Sequence, residues 1–198
     1  MRKINIAGVV SGLITLYLAL LGGSWWVATG GVGGESFHAF ISPFTFDVSI
    51  LGNPLGVPLI EWLILASRIA FILAGLEILV ASLLVHKDWS KSFIRLRILW
   101  TALIFVGSIY GGITLVQNIT GIAIPLQGTA LLTYDIPGQA QTFTVETPIN
   151  TYFTPTFEVA LVGSISALLA KILHGRAPQA APTTPTTADN NHGSNTHA

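Results

Sequence analysis

Two ionisable side chains interrupt an otherwise apolar run: Arg68 and Glu77 lie within LILASRIAFILAGLEILVASLL, Leu63 to Leu84. A charge in such a run costs about 2.5–3.5 kcal/mol on insertion scales, so each group needs a partner or a task. Three are open to them: a structural ion pair, a path for protons or ions, or a contact to a partner subunit. Glu61 and Arg68 are seven residues apart, nearly on one helix face and about 10 Å apart along the axis. Arg68 and Glu77 are nine apart and fall on opposite faces, so they cannot pair within one helix. Glu158 and Lys171 flank another apolar run. Counted from Pro58 and from Thr156, Glu77 lies about 28 Å down its helix and Lys171 about 22 Å, while Arg68 lies about 15 Å down and Glu158 about 3 Å. Two ion pairs between these runs are therefore expected, Glu77 with Lys171 and Arg68 with Glu61 or Glu158. The near-balance of charge, with no row of acids, favours pairing over a transport path lined by Arg68, Glu77 and Lys171.

Other chemistries find less support. The chain has no Cys, which excludes disulfides, thiolate metal sites and Cys nucleophiles. No His lies inside an apolar run; His86 and His174 stand at the ends of two of them, where interfacial placement explains them better than haem ligation. Glu35, His38 and Asp47 lack the fixed spacing of a metal site, so no metal or other cofactor is expected. The serines of GSIYGG and GSISA have no general base at matching depth except Lys171, and packing of small residues accounts for them. There is neither an intramembrane Asp pair nor a phosphate-binding glycine loop. No catalysis and no nucleic-acid partner are expected. Asn118-Ile119-Thr120 matches the N-glycosylation sequon.

The elements that carry these residues follow from composition. Of the 198 residues 51% are hydrophobic and 9% charged, against about 25% charged in soluble domains. Four apolar spans are expected, over about 4–28, 58–85, 98–116 and 157–174, each near the roughly 20 residues that cross a bilayer. The fourth reaches that length only if Glu158 and Lys171 snorkel. Met1-Arg2-Lys3 before an apolar run also suits a signal peptide, but such apolar cores run about 7–15 residues, so an uncleaved span is expected. Arg2, Lys3, Lys87, Lys91, Arg95, Arg97 and Arg176 all fall on one side of this scheme. The two long connections, 29–57 and 117–156, hold only Glu35, Asp47, Asp135 and Glu146. The positive-inside bias then puts both termini in the cytoplasm and both connections outside a cell membrane, and Trp25, Trp26 and Trp62 sit at the expected outer boundary. Residues 1–176 would form the four-span domain, with a disordered Pro/Thr/Asn-rich tail over 177–198.

Each span offers a pair of small residues four apart for close helix packing: Gly8 and Gly12, Ala66 and Ala70, Gly107 and Gly111, Gly163 and Ala167. In the first connection, Phe44, Phe46, Val48 and Ile50 alternate with Thr45, Asp47 and Ser49, the period of a half-buried strand. In the second, TALLTYDIPGQAQTFTVETP reads as a hairpin turning at Pro137-Gly138, with Phe143 and Val145 on the face opposite Thr142, Thr144 and Glu146. Pairing of this hairpin with the first-connection strand would give a three-stranded sheet resting on the helix ends.

Four spans, inside termini and outer β-segments resemble the architecture of claudin-like four-span proteins. The Gly-Leu-Trp and paired Cys of that family's first loop are not in this chain, where GGSWW is the only counterpart. In that family most strands come from the first loop, whereas the alternation here is richer in the second. The expected class is a membrane four-helix transmembrane bundle with a small extracytoplasmic antiparallel β-cap, α+β overall. Its expected role is that of a structural or accessory subunit, with the bilayer around it and a protein partner or second copy docking on outer strands or helix faces. A redox-complex accessory subunit holding no cofactor is a further variant, and a small transporter or channel is the alternative.

Overall fold

A computed structural model describes residues 4–31, 36–85, 96–120, 124–137 and 142–175. Glu35, the basic loop of Lys87, Lys91 and Arg95, His86, Gly138 and the 177–198 tail lie outside them. The chain forms four helices and a six-stranded antiparallel sheet, an α+β fold.

Helix α1 spans Ile6–Leu21, capped by Asn5, whose Oδ1 accepts from the Gly8 amide at 3.2 Å. Its 16 residues extend only about 24 Å, and Gly22-Gly23 ends it well before the expected limit at residue 28. The remaining apolar residues form strand β1, Trp26–Gly30. Strands β2 (Phe37–Ser42), β3 (Thr45–Ile50) and β4 (Asn53–Pro54) follow. Helix α2 is Pro58–Leu83 and α3 is Arg97–Thr120. Strands β5 (Gly128–Pro137) and β6 (Thr142–Phe153) form the hairpin, and α4 is Pro155–Gly175. Pro58 and Pro155 open their helices, where a missing N–H costs nothing. Three helices, over Pro58–Leu83, Arg97–Asn118 and Pro155–Leu173, are long and apolar enough to cross a membrane.

The sheet order is β4-β3-β2-β1-β6-β5. The expected three-stranded sheet is thus doubled, and the strand that receives the hairpin is β1 rather than β3. Strands β2, β3 and β4 and the end of β1 come from the first connection and two strands from the second, the reverse of the balance read from alternation. The reason is burial: Trp26, Val27 and Ala28 are all buried, and a strand covered on both faces reads as a continuous apolar run, like a membrane helix.

Helix α1 packs along both α2 and α4, and α3 along α4. Glycine permits the closest approaches. A Cβ on Gly12 would stand 3.1 Å from the Gly75 carbonyl oxygen and 2.7 Å from Leu79, and one on Gly75 would stand 3.2 Å from the Gly12 carbonyl oxygen. A Cβ on Gly8 would collide with the Ser82 hydroxyl, and one on Gly163 would meet Ile14 at 2.6 Å. Ala167 is fully buried. The other expected packing residues are placed differently: Ala66 and Ala70 are exposed, and Gly107 and Gly111 have open space around them. Small residues four apart permit contact without specifying it.

Sheet and helices meet at one aromatic cluster. Trp25, wholly buried, packs edge-on against Phe44 (5.9 Å between ring centroids) and Phe105 (5.2 Å), and tilted against Phe157 (5.7 Å). Phe44 meets Phe71 edge-on, and Phe153 stacks on Phe157 at 4.7 Å. Every helix except α1 contributes a ring, and α1 leads directly into Trp25. The backbone reinforces the joint: the Trp25 amide donates to the Ile41 carbonyl, and the Thr154 amide to the Trp25 carbonyl, each at 2.9 Å.

Branched side chains at the α1–α2 approach should overpack it. Gly12→Val and Gly75→Val are each expected to lower stability by about 1–3 kcal/mol, measured by thermal or denaturant unfolding in detergent. Gly111→Val, with open space around it, should leave the midpoint nearly unchanged.

Candidate functional site

The charges within the helices find partners other than those expected from sequence. Arg68, half-buried on α2, donates from Nη2 at 2.9 Å and from Nε at 3.3 Å to the Phe44 carbonyl oxygen. That carbonyl belongs to the tight β2–β3 connection, where the Phe44 amide already donates to Ser42 Oγ at 3.1 Å. The guanidinium therefore clamps the turn that carries Phe44 into the aromatic cluster, and pairs with neither Glu61 nor Glu158, both exposed. Fork-shaped Arg is suited to this role, since two N–H groups reach one oxygen while the stem covers apolar surface.

Glu77 is paired with Arg97, the first residue of α3, at 3.5 Å between Oε2 and Nη2. The expected Glu77–Lys171 pair is not present: Lys171 is exposed on α4, and α1 lies between α2 and α4. Asn5 reaches both Ser82 and Ala170, so Lys171 stands level with Ser82, more than a turn of α2 beyond Glu77. Arg97 falls one residue outside the 98–116 span expected from sequence; its seat at the start of an apolar helix was the available signal for it as a partner.

A second missed residue is Asn5, buried at the end of the helices far from the sheet. Its amide N–H donates to the Ser82 carbonyl at 3.0 Å and its Nδ2 to the Ala170 carbonyl at 2.8 Å. The Asn5 side chain thus caps α1 and ties it to the end of α4, while its backbone amide ties it to the end of α2. Polar side chains buried between these helices are likewise satisfied: Ser11 Oγ donates to the Gly163 carbonyl, Thr15 to Ser11, Ser82 to Ile78 and Ser164 to Ala160.

The sheet has two distinct faces. By register, Trp26, Ala28, Ala39, Ile41, Val48 and Phe153 share the face that joins the aromatic core. The opposite face carries Thr29, His38, Phe40, Asp47, Asn150 and Tyr152. There His38 Nε2 stands 3.7 Å from Asp47 Oδ1, and its ring tilts over Phe40 with centroids 5.4 Å apart. Of the three residues considered for a metal, His38 and Asp47 are thus brought together, and no group of three potential ligands occurs among the described residues. The stretch before β5 is tied to the core face by Trp26, whose Nε1 donates to the Leu126 carbonyl at 2.9 Å, and by Thr151, whose hydroxyl donates to the Pro125 carbonyl at 2.8 Å. Asn118 lies exposed in the last turn of α3. The side chain of His174 and all of His86 are outside the described residues.

Comparison with known proteins finds no matching family model, no matching curated relative and no matching solved structure.

Removing the Arg68 guanidinium should strand the Phe44 carbonyl. Arg68→Met is expected to cost about 1–3 kcal/mol, seen as a lower unfolding midpoint in detergent and faster proteolysis at the β2–β3 connection, with partial recovery in Arg68→Lys. In a double-mutant cycle, Glu77→Gln and Arg97→Gln should couple by about 0.2–1 kcal/mol. Glu77→Gln and Lys171→Gln should be additive.

Proposed function

We propose that this chain is an integral protein of the cell-surface membrane, with four helices in the bilayer, both termini cytoplasmic and the sheet outside. In this reading it acts without catalysis, as a structural or accessory subunit that presents the outer sheet face to a protein partner. The observation that carries the reading is where the charges go. Arg68 is engaged with the Phe44 carbonyl and Glu77 with Arg97, so both hold the fold together rather than standing ready for a transported ion. Length and apolar character of three helices, with large exposed side chains such as Leu59, Trp62, Leu103, Ile104 and Leu161, support lipid as their surroundings. The shorter α1 lies against two of them and needs less lipid-facing length. The segregation of Lys and Arg supports the orientation.

The outer face combines amphipathic aromatics with polar groups, Phe40 and Tyr152 beside His38, Asp47 and Asn150. Such a mixture is the usual composition of a protein-binding surface.

Two measurements bear on this. In the Cys-free chain, single cysteines placed near Gly138 should react with an impermeant thiol reagent on intact cells, and cysteines within 87–97 should react only after permeabilisation; the opposite pattern would refute the orientation. Protein extracted in mild detergent should run as a hetero-complex that Phe40→Asp or Tyr152→Asp dissociates. A homo-oligomer insensitive to both, conducting ions in vesicles, would replace the subunit reading with a transport one.

A further inference from the structure

Strand β3 turns into β4 through an unusual pair of residues. Leu51 (φ 51°) and Gly52 (φ 76°) are the two central positions, and both lie in the left-handed region. Such turns are ordinarily made by Asn-Gly, Asp-Gly or Gly-Gly, and a bulky side chain is strained there. Leu51 is also 74% exposed, so in water it is unfavourable on a second count. The turn is nevertheless firmly held. The Leu51 amide donates to the Ser36 carbonyl and the Leu55 amide to the Val48 carbonyl, each at 2.8 Å. A strained apolar residue, fixed and exposed, points to a surface that receives it.

That surface is marked by what adjoins the turn. Leu55 and Val57, both exposed, lead from it into α2. From Leu59 an exposed apolar stripe then runs down one side of the helix at helical spacing, through Trp62, Ala66, Ile69, Leu73 and Val80. The stripe belongs to the longest of the three helices able to cross a membrane. Turn, connection and helix thus share one apolar surface, and no charged residue interrupts it between Val48 and Ile60. The depth of the turn is consistent with lipid. Asn5 joins the levels of Ser82 and Ala170, beside Lys171, at the inner end of the bundle. Trp62 stands about 30 Å along α2 from Ser82, close to the thickness of a hydrocarbon core. Pro58 is about 6 Å farther, within the headgroup layer, and tilting of so long a helix brings it lower.

We infer that the β3–β4 turn and the connection to α2 form a lipid anchor, with Leu51, Leu55 and Val57 seated in the headgroup–acyl boundary of the outer leaflet. The inference rests on the membrane placement proposed above. Its chemistry suits that site: aliphatic side chains beside a tryptophan at the edge of the acyl region partition to the interface. No Lys or Arg lies between Thr29 and Val57, so the contact is apolar and needs no anionic lipid. The β4 edge of the sheet is thereby fixed at the bilayer.

The Cys-free sequence makes the test direct. Leu51→Cys and Leu55→Cys are labelled with an environment-sensitive fluorophore, alongside Asp47→Cys on the outer sheet face and Leu73→Cys on the helix stripe as references. The full-length protein is then reconstituted at one copy per phosphatidylcholine nanodisc. Labels at positions 51 and 55 should emit to the blue of that at 47. They should be quenched severalfold more strongly by lipid-borne bromine, and severalfold less by aqueous iodide. Iodide quenching at 51 and 55 equal to that at 47, with position 73 quenched by brominated lipid, would overturn the anchor while leaving the membrane reading intact. Absence of lipid-borne quenching at 73 would instead overturn the membrane reading and this inference with it. Shielding of 51 from iodide without lipid-borne quenching, or only in vesicles holding many copies, would assign the turn to a protein contact and also overturn it.

Discussion

The joint around Trp25 is the constraint on which the remaining architecture depends. A sheet that grows directly out of helix ends must bury its inner face on those ends, and the ends offer only a small area. Aromatic rings solve this, because each covers much surface with few rotatable bonds and edge-on pairs add about 0.5–1.5 kcal/mol each beyond burial. Trp25 touches rings from the β2–β3 connection, α3 and α4, and Phe44 passes the contact on to α2. Arg68 belongs to the same joint, since the carbonyl it holds is that of Phe44. A charge that looked misplaced in an apolar run is in fact at the level where the sheet begins.

At the opposite end a different device closes the molecule. Asn5 joins three helices through one side chain and one backbone amide, and Gly8, Gly12 and Gly75 let α1 approach α2 to backbone contact distance. Close approach and complete hydrogen bonding are what stabilise helix contacts when the surroundings are apolar, because exclusion of water then contributes little. The same demand accounts for Ser11, Thr15, Ser82 and Ser164, buried between the helices and each donating to a backbone carbonyl. Helix α3 shares little of this; beyond Phe105 none of its residues over 106–118 is buried, and its link to α2 is the Glu77–Arg97 pair.

Together these features describe a molecule in which Arg68, Glu77 and the Ser and Thr side chains buried between the helices are engaged in holding it together, and whose outward surfaces differ in kind. The helices expose aliphatic side chains, and the outer sheet face exposes mixed aromatic and polar ones. That division fits the proposed subunit in a membrane better than a conduit through one, since a conduit requires ionisable groups free to change partners.

Much of this was legible in the sequence, and the remainder had definite physical causes. Apolar run length, glycine and proline punctuation and period-two alternation depend on near neighbours in the chain, so α2, α3, α4, β3 and the β5–β6 hairpin could be read directly. Strand β1 could not be read, because a strand buried on both sides has the same apolar signature as the end of a membrane helix. Nor could the partners of Arg68 and Glu77, since spacing fixes depth and direction along one helix but not which helix stands beside it. That choice was made by α1 wedging between α2 and α4, and by a turn carbonyl that only the assembled sheet brings to the guanidinium. The sequence by itself determined which segments are helix or strand and where charge must be neutralised; tertiary structure alone decided with what, because neighbours distant in the chain are set by packing rather than by pattern.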